Sequence, residues 1–343
     1  MPLLRLARHA MATRFEIVLS GDNPTLLRAA GEEALDEIER LEAQLSLFVP
    51  TSEISHVNAR AAREPVRVTP GVFDLLMHAH RLSAETLGAF DVTIAPLVRC
   101  WGFMGGGGHL PRPGDLADAR AKVGMPLVHL DRSNFSVRFE RNGVMIDLGA
   151  IGKGYAIDRA VELLRDGGIT SALIHGGTST IYGLGRPPDA DAWKIEITRP
   201  HPMGVPASRQ PSPLMVHCEP SFRSAQQSPV RGELTPPFAT VLLENASLSV
   251  SAIWGKFFCA EGRHFGHIID PRTGEPVRGA VLSAVCLESA TETDALSTAL
   301  LTLGCQGHDH IASLRPEIRT LVVAESSERL RVKSKGIAVE PFA

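Results

Sequence analysis

Apolar positions recur along this chain with two different periods. Leu27, Ala30, Ala34, Ile38, Leu41 and Leu45 fall three or four apart, while Glu32, Glu33, Asp36, Glu37 and Glu39 lie mostly off that stripe. The spacing predicts an amphipathic helix whose acids form a solvated face. Asn23-Pro24 supplies its N-cap and a proline at the first helical position. Val72, Phe73, Leu76, Ala79 and Leu82, after Thr69-Pro70, predict a second helix. From Arg14 to Leu19 the period drops to two, with Phe15, Ile17 and Leu19 on one face, which predicts a strand. Residues 144–148 read as a strand that breaks at Gly149 and runs into a helix over 155–164. Short strands are expected at 173–175, 194–198, 240–243, 282–287 and 320–324, and a helix at 294–303.

Helices and strands mix without strict β-α-β alternation, so the expected class is α+β. Residues 200–237 break the pattern with repeated prolines in a Ser/Arg/Gln-rich stretch. This reads as a mobile surface insertion within a single domain.

Composition narrows the function. The net charge of -3 carries no basic block, which argues against nucleic acid as a partner. Five cysteines without a C-x-x-C spacing argue against a disulfide framework or a structural zinc site. Arg5 and Arg8 interrupt the only apolar run near Met1, and no later run is long enough to span a bilayer. With Met1 as the start, a cytoplasmic location is expected.

The helix at 294–303 carries the first candidate chemistry. Leu296, Ala299, Leu300 and Leu303 form one apolar stripe, and Asp294 and Thr298, four apart, share the opposite face. Leu301 joins that second face, so it too is expected to be covered, and a covered carboxylate needs a partner. A carboxylate and a hydroxyl one turn apart can hold two positions of a hard octahedral cation, with Ser297 adding an oxygen through water. On these residues alone the competing reading is preferred, in which Asp294 caps the start of its own helix.

Gly149-Ala150-Ile151-Gly152-Lys153-Gly154 spells G-x-x-G-x-G, neither the Rossmann nor the Walker pattern. Small residues let backbone approach a ligand, the following helix N-terminus offers amides to an anion, and Lys153 adds charge. Asp147, at the expected strand end, is placed to accept from a ligand's donor. A tight crossover with Lys153 in solvent accounts for the same residues equally well. Gly88-Ala89-Phe90-Asp91 follows a helix end that Gly88 would cap. His267 opens a short strand that enters the turn Asp270-Pro271-Arg272-Thr273-Gly274, where a core histidine is the commoner case.

Taken in order, a set of segments resembles the ApbE-like FAD:protein FMN transferases. They are Met11-Ala12-Thr13-Arg14-Phe15, Leu45-Ser46-Leu47-Phe48, Ser52-Glu53-Ile54-Ser55 with Asn58, and Gly88-Ala89-Phe90-Asp91. Pro96-Leu97, Trp101-Gly102-Phe103, residues 147–158, Gly176-Gly177, 267–274 and 294–298 complete the set, which covers roughly 11–305 apart from the Pro-rich stretch.

The resemblance implies one ApbE-like, T-fold-related α+β domain over 1–343, with mixed and antiparallel sheets flanked by helices and an FAD cleft between them. It also implies a reaction. Mg2+ holds the pyrophosphate of FAD, a Thr or Ser hydroxyl of an acceptor flavoprotein attacks the FMN phosphorus, and AMP leaves. By matched position, the Ala150 carbonyl, Asp294 and Thr298 bind Mg2+, with Ser297 beside them. Met11, Phe48, Ala89, Phe90, Asp91, Asp147, Lys153, His267 and Ile268 line the FAD site. His267 takes the acceptor's proton, as a group titrating near neutrality can.

Three positions depart from the family pattern. Val250-Ser251-Ala252-Ile253 stands in place of a T-S-G segment and its acid or amide, Thr178 stands where an acid often follows the glycine pair, and Ser297 stands where some members carry a second acid. A Mg2+-dependent FAD pyrophosphatase and a non-catalytic FAD-binding protein therefore stay open beside the transferase.

Overall fold

The computed structural model describes residues 3–200, 214–217, 237–253, 255–326 and 329–340. The chain opens with a hairpin, β1 (Leu3–Ala10) and β2 (Thr13–Ser20), followed by α1 (Pro24–Leu45), α2 (Glu53–Arg60), β3 (Val66–Arg67) and α3 (Pro70–Glu85). Next come α4 (Ala95–Cys100), α5 (Pro113–Arg120), β4 (Val128–Asp131), β5 (Ser136–Phe139) and α6 (Gly152–Asp166). Then follow β6 (Ala172–Gly176), β7 (Thr180–Leu184), β8 (Trp193–Ile197), β9 (Leu214–His217), β10 (Ala239–Leu243) and β11 (Ala246–Ala252). The rest is β12 (Phe257–Ala260), β13 (Arg263–Gly266), β14 (Ala280–Leu287), α7 (Ala290–Ile311), β15 (Arg319–Ser326), β16 (Arg329–Lys335) and β17 (Ala338–Val339).

The main sheet has eight strands in the order β1-β2-β6-β7-β11-β14-β15-β16, every neighbouring pair antiparallel. Helices α1, α6 and α7 pack side by side against it, α1 on β1 and β2, α6 on β6 and β7, and α7 on β11, β14 and β15. This is a single α+β domain. The predicted stripe of α1 is buried from Leu27 to Leu45. Gly31 marks its closest approach, since a Cβ there would lie 2.6 Å from Leu6 Cδ1 and 2.7 Å from Leu19 Cδ1. Asn23 caps the helix by accepting from the amides of Thr25 and Leu26, both at 3.1 Å. Smaller sheets, β17-β10-β8-β9, β3-β5-β4 and β12-β13, surround this body. A separate apolar cluster of Leu97, Trp101, Phe103, Ala119, Phe265 and Ile269 lies beside the main core. Among the described residues no helix is long and apolar enough to cross a membrane, and the four described cysteines are free thiols.

Three expectations need correction. Residues 144–148 form no strand, although Val144, Ile146 and Leu148 are buried as the alternation requires. Their neighbour is a side chain rather than a strand. Asn58 donates from Nδ2 to the Ile146 carbonyl at 2.9 Å and accepts the Ile146 amide at 2.7 Å, and the Asp147 amide donates to the Val92 carbonyl at 2.7 Å. His267 lies just beyond β13, and its own segment contributes one isolated bridge, Ile269 to Pro276, instead of a strand. Most of 200–237 lies outside the described residues. Within it, β9 pairs antiparallel with β8, where the sequence predicts no regular element.

Candidate functional site

The site begins where two helix N-termini cross. A Cβ on Gly154, in the first turn of α6, would lie 2.1 Å from the Ala290 carbonyl oxygen and 2.9 Å from Asp294 Cβ. Only glycine permits that approach. The helix of Asp294 starts earlier than its apolar stripe suggests. Ser289 is the N-cap and accepts from the Glu292 amide at 3.2 Å. Asp294 therefore sits in the second turn and does not cap its own helix. It accepts instead from the Gly154 amide at 3.1 Å and from Thr180 Oγ1 at 3.3 Å, with Lys153 Nζ 3.7 Å away. Asp158, one turn further along α6, accepts from the Ala290 and Thr291 amides at 2.7 and 2.8 Å and from the Ser289 and Thr291 hydroxyls at 2.9 and 2.6 Å.

Hydroxyls brace this crossing from β11. Ser247 and Ser249 share hydrogen bonds with Thr293 at 3.0 and 2.8 Å, and Ser249 reaches Thr180 at 3.2 Å. Ser251 meets Ser297 at 2.9 Å and Thr298 at 3.3 Å. Sequence reasoning missed this network. Its signal is the period-two serine run in Ala246-Ser247-Leu248-Ser249-Val250-Ser251-Ala252, which gives one strand face three hydroxyls.

Beside the crossing opens a cleft of about 720 Å³. Ala89, Phe90, Asp91, Asp147, Ala150, Lys153, Ile268, Asp294 and Thr298 border it from the main body, and Ile94, Val98, Phe103, His267 and Ile269 from the side of the second cluster. Phe48 stands at the rim, 68% exposed. Of the residues singled out in the sequence, Met11 and Ser297 do not line the cleft. Met11 is one of two left-handed residues in the β1–β2 turn, packed against the main core. Ser297 is fully buried and donates to the Asp294 carbonyl at 3.0 Å. Lys256, which the sequence reading passed over, lines the cleft.

The cleft is electrostatically mixed. Burial pushes the Asp147 carboxyl up, offset by the Gly149 amide bond and the charge of Lys153. Asp91 is held by the Thr93 amide and hydroxyl at 2.8 and 2.6 Å and by the Met125 amide at 3.0 Å. Burial pushes the His267 imidazole below its ordinary value; the bond to Lys256 opposes this, and the charges of Lys256 and Lys153 add to it. His267 Nδ1 lies 3.1 Å from the Lys256 carbonyl. A carbonyl only accepts, so Nδ1 carries the proton and Nε2 keeps its lone pair.

A hard cation fits the donors present. Asp294 supplies a carboxylate and Thr298 a hydroxyl, while no donor among the described residues reaches the Ala150 carbonyl, since the Gly154 amide turns to Asp294 instead. One carboxylate, one hydroxyl and one open carbonyl leave the remaining octahedral positions to water and phosphate oxygens, as Mg2+ prefers.

Comparison with known proteins places the chain. The profile of the ApbE family matches residues 11–322. A FAD:protein FMN transferase of Klebsiella pneumoniae (strain 342) is 28% identical over 338 residues, covering 96% of this chain and 94% of that protein. The FAD:protein FMN transferase of Treponema pallidum (strain Nichols) is 29% identical, covering 81% and 72%. The crystal structure of the ApbE protein of Thermotoga maritima superposes with a TM-score of 0.79 at 25% identity, covering 98% of this chain and 97% of that one. The flavin transferase ApbE of Vibrio cholerae shares the fold, with a TM-score of 0.77 at 22% identity and 98% coverage of each chain. The chain belongs to the ApbE family.

Proposed function

We propose that this protein is an FAD:protein FMN transferase, moving the FMN half of FAD to a Thr or Ser hydroxyl of an acceptor protein and releasing AMP in a Mg2+-dependent reaction. The observation that carries the proposal is the convergence on one cleft of Asp294, Thr298 and the open Ala150 carbonyl with Lys153 and His267. Relatives that bear the transferase name along most of their length support it.

Each residue's task follows from its surroundings. Phe48 and Phe90 offer aromatic faces to the flavin. Lys153 and the positive end of the α6 dipole favour the pyrophosphate. Mg2+ held by Asp294, Thr298 and the Ala150 carbonyl would neutralise charge on the phosphates. His267 Nε2 accepts the proton of the attacking hydroxyl, and the new bond forms between that oxygen and the FMN phosphorus while the AMP oxygen departs. The Lys256 carbonyl holds the ring in the required tautomer.

The test is incubation with FAD and Mg2+, with and without a candidate acceptor. Covalently flavinylated acceptor plus AMP is the expected result. Free FMN and AMP with no labelled acceptor indicates a pyrophosphatase in which water takes the acceptor's place, and intact bound FAD indicates a binding protein; either outcome overturns the proposal.

A further inference from the structure

We infer that Lys256 is a second phosphate-binding residue of this cleft, its ammonium holding a non-bridging oxygen of the FAD pyrophosphate; this rests on FAD being the substrate. Lys153 and Lys256 are the only Lys or Arg side chains among the described residues that line the cleft. They differ in what they already hold. Lys153 donates to the Gly149 carbonyl at 3.1 Å and lies 3.7 Å from Asp294, so its charge is committed to that carboxylate. The Lys256 ammonium makes no hydrogen bond or ion pair among the described residues.

Its backbone is nevertheless fixed. The Lys256 carbonyl accepts from both the amide and Nδ1 of His267, each at 3.1 Å. The lysine is therefore anchored to the base that must act beside the phosphorus. A dianionic pyrophosphate entering here also meets Asp91, Asp147 and Asp294. One committed lysine and the divalent cation proposed at Asp294 leave the pyrophosphate and three acids short of full neutralisation, and a free ammonium on a flexible stem suits an anion as a point charge. When the pyrophosphate binds, it neutralises the cation beside His267 and makes that ring a stronger base at the moment a proton must be accepted. The charges acting on the ring are those of Lys256 and of Lys153; Asp147 and Asp294 face Lys153, and Asp91 is held by Thr93 and Met125.

The experiment compares Lys256→Gln and Lys256→Arg with the unsubstituted protein for affinity toward FAD and toward riboflavin, which has no phosphate. Lys256→Gln should weaken FAD about 10- to 100-fold and leave riboflavin unchanged, and Lys256→Arg should retain most of the FAD affinity. In turnover, the acid limb of kcat/KM for FAD should move to higher pH in Lys256→Gln only, because loss of the neighbouring charge lets His267 protonate more readily. Equal losses for FAD and riboflavin, unchanged FAD affinity, or a rise confined to the KM of the acceptor would each overturn the assignment. A protein that binds FAD without cleaving or transferring it counts against the proposed reaction alone, and the affinity comparison still decides the role of Lys256.

Discussion

Asp158 and Asp294 each satisfy the start of the other's helix: Asp158, in α6, takes the first amides of α7, and Asp294, in α7, takes the Gly154 amide of α6. The two carboxylates lock the crossing in one register, and in that register the proposed cation ligand Asp294 borders the same cleft as Ala150.

Asp158→Ala should therefore act in two ways. Loss of its hydrogen bonds at the α7 N-terminus should cost about 2 kcal/mol, read as a lower thermal midpoint without metal. The Mg2+ concentration needed for half-maximal FAD turnover should also rise. A lower midpoint with an unmoved Mg2+ requirement would reduce Asp158 to a stabilising residue.

Asp294→Asn separates the ligand role from the helix-capping role. An asparagine Oδ1 can still accept the Gly154 amide, so unfolding without metal should change little. The charge that a hard cation needs is gone, and Mg2+-dependent turnover should fall by about 100-fold or more. Thr298→Val, which removes one neutral oxygen at nearly constant shape, should cost about tenfold. Normal turnover of Asp294→Asn at limiting Mg2+ would remove Asp294 from the metal site.

His267→Ala should keep FAD binding and lose about 10²- to 10⁴-fold in turnover. Burial lowers the imidazole below its ordinary 6.5, which favours the neutral base. The half-loss of rate on the acid side should fall below pH 6.5, as Nε2 gains its proton. The His267→Ala profile should lack this limb; a limb that persists would assign the base elsewhere.

Glu292 ties α7 to α3 through Arg81 at 2.8 Å and His78 at 3.1 Å, and it holds Arg315, at 2.9 and 3.0 Å, which in turn reaches Glu85 of α3 at 2.7 Å. Burial alone would raise its carboxyl, but the bonds from His78 and Arg315 prevail and bring it from 4.5 to about 2. A depressed carboxylate stabilises fully above its unfolded value and loses that contribution as pH falls through the folded one. Glu292→Gln should lower the thermal midpoint at pH 7 and flatten its decline between pH 4.5 and about 2. A parallel decline in both proteins would show that another group governs acid unfolding.

What the sequence made legible was periodicity on buried faces. The α1 stripe is buried as the spacing requires, because a helix packed on a sheet needs a continuous apolar band. The start of α7 was not read that way, since its first turns carry Thr291, Glu292 and Thr293, whose partners are Asp158, the Arg315/Arg81/His78 group and the β11 serines instead of an apolar core. The clue was Ser289-Ala290-Thr291-Glu292, the spacing of a capping box, five residues before Asp294. Residues 144–148 misled for the opposite reason. Their alternation is that of a strand, but no local pattern tells whether the adjacent hydrogen-bonding edge belongs to a strand or to a side chain. Lys256 escaped notice because its importance lies in a contact with His267, eleven positions away, that no spacing rule encodes.

Asn58 gives the cleft a mechanical weak point. One amide group holds both polar atoms of Ile146, and it belongs to a short eight-residue helix instead of the eight-stranded sheet. Deuterium should therefore enter at the Ile146 amide whenever α2 frays, far sooner than at the central amides of β11 or β14. Early exchange at Ile146 would mark the segment leading into Asp147 and Ala150 as one whose stability is set by α2 and not by the sheet.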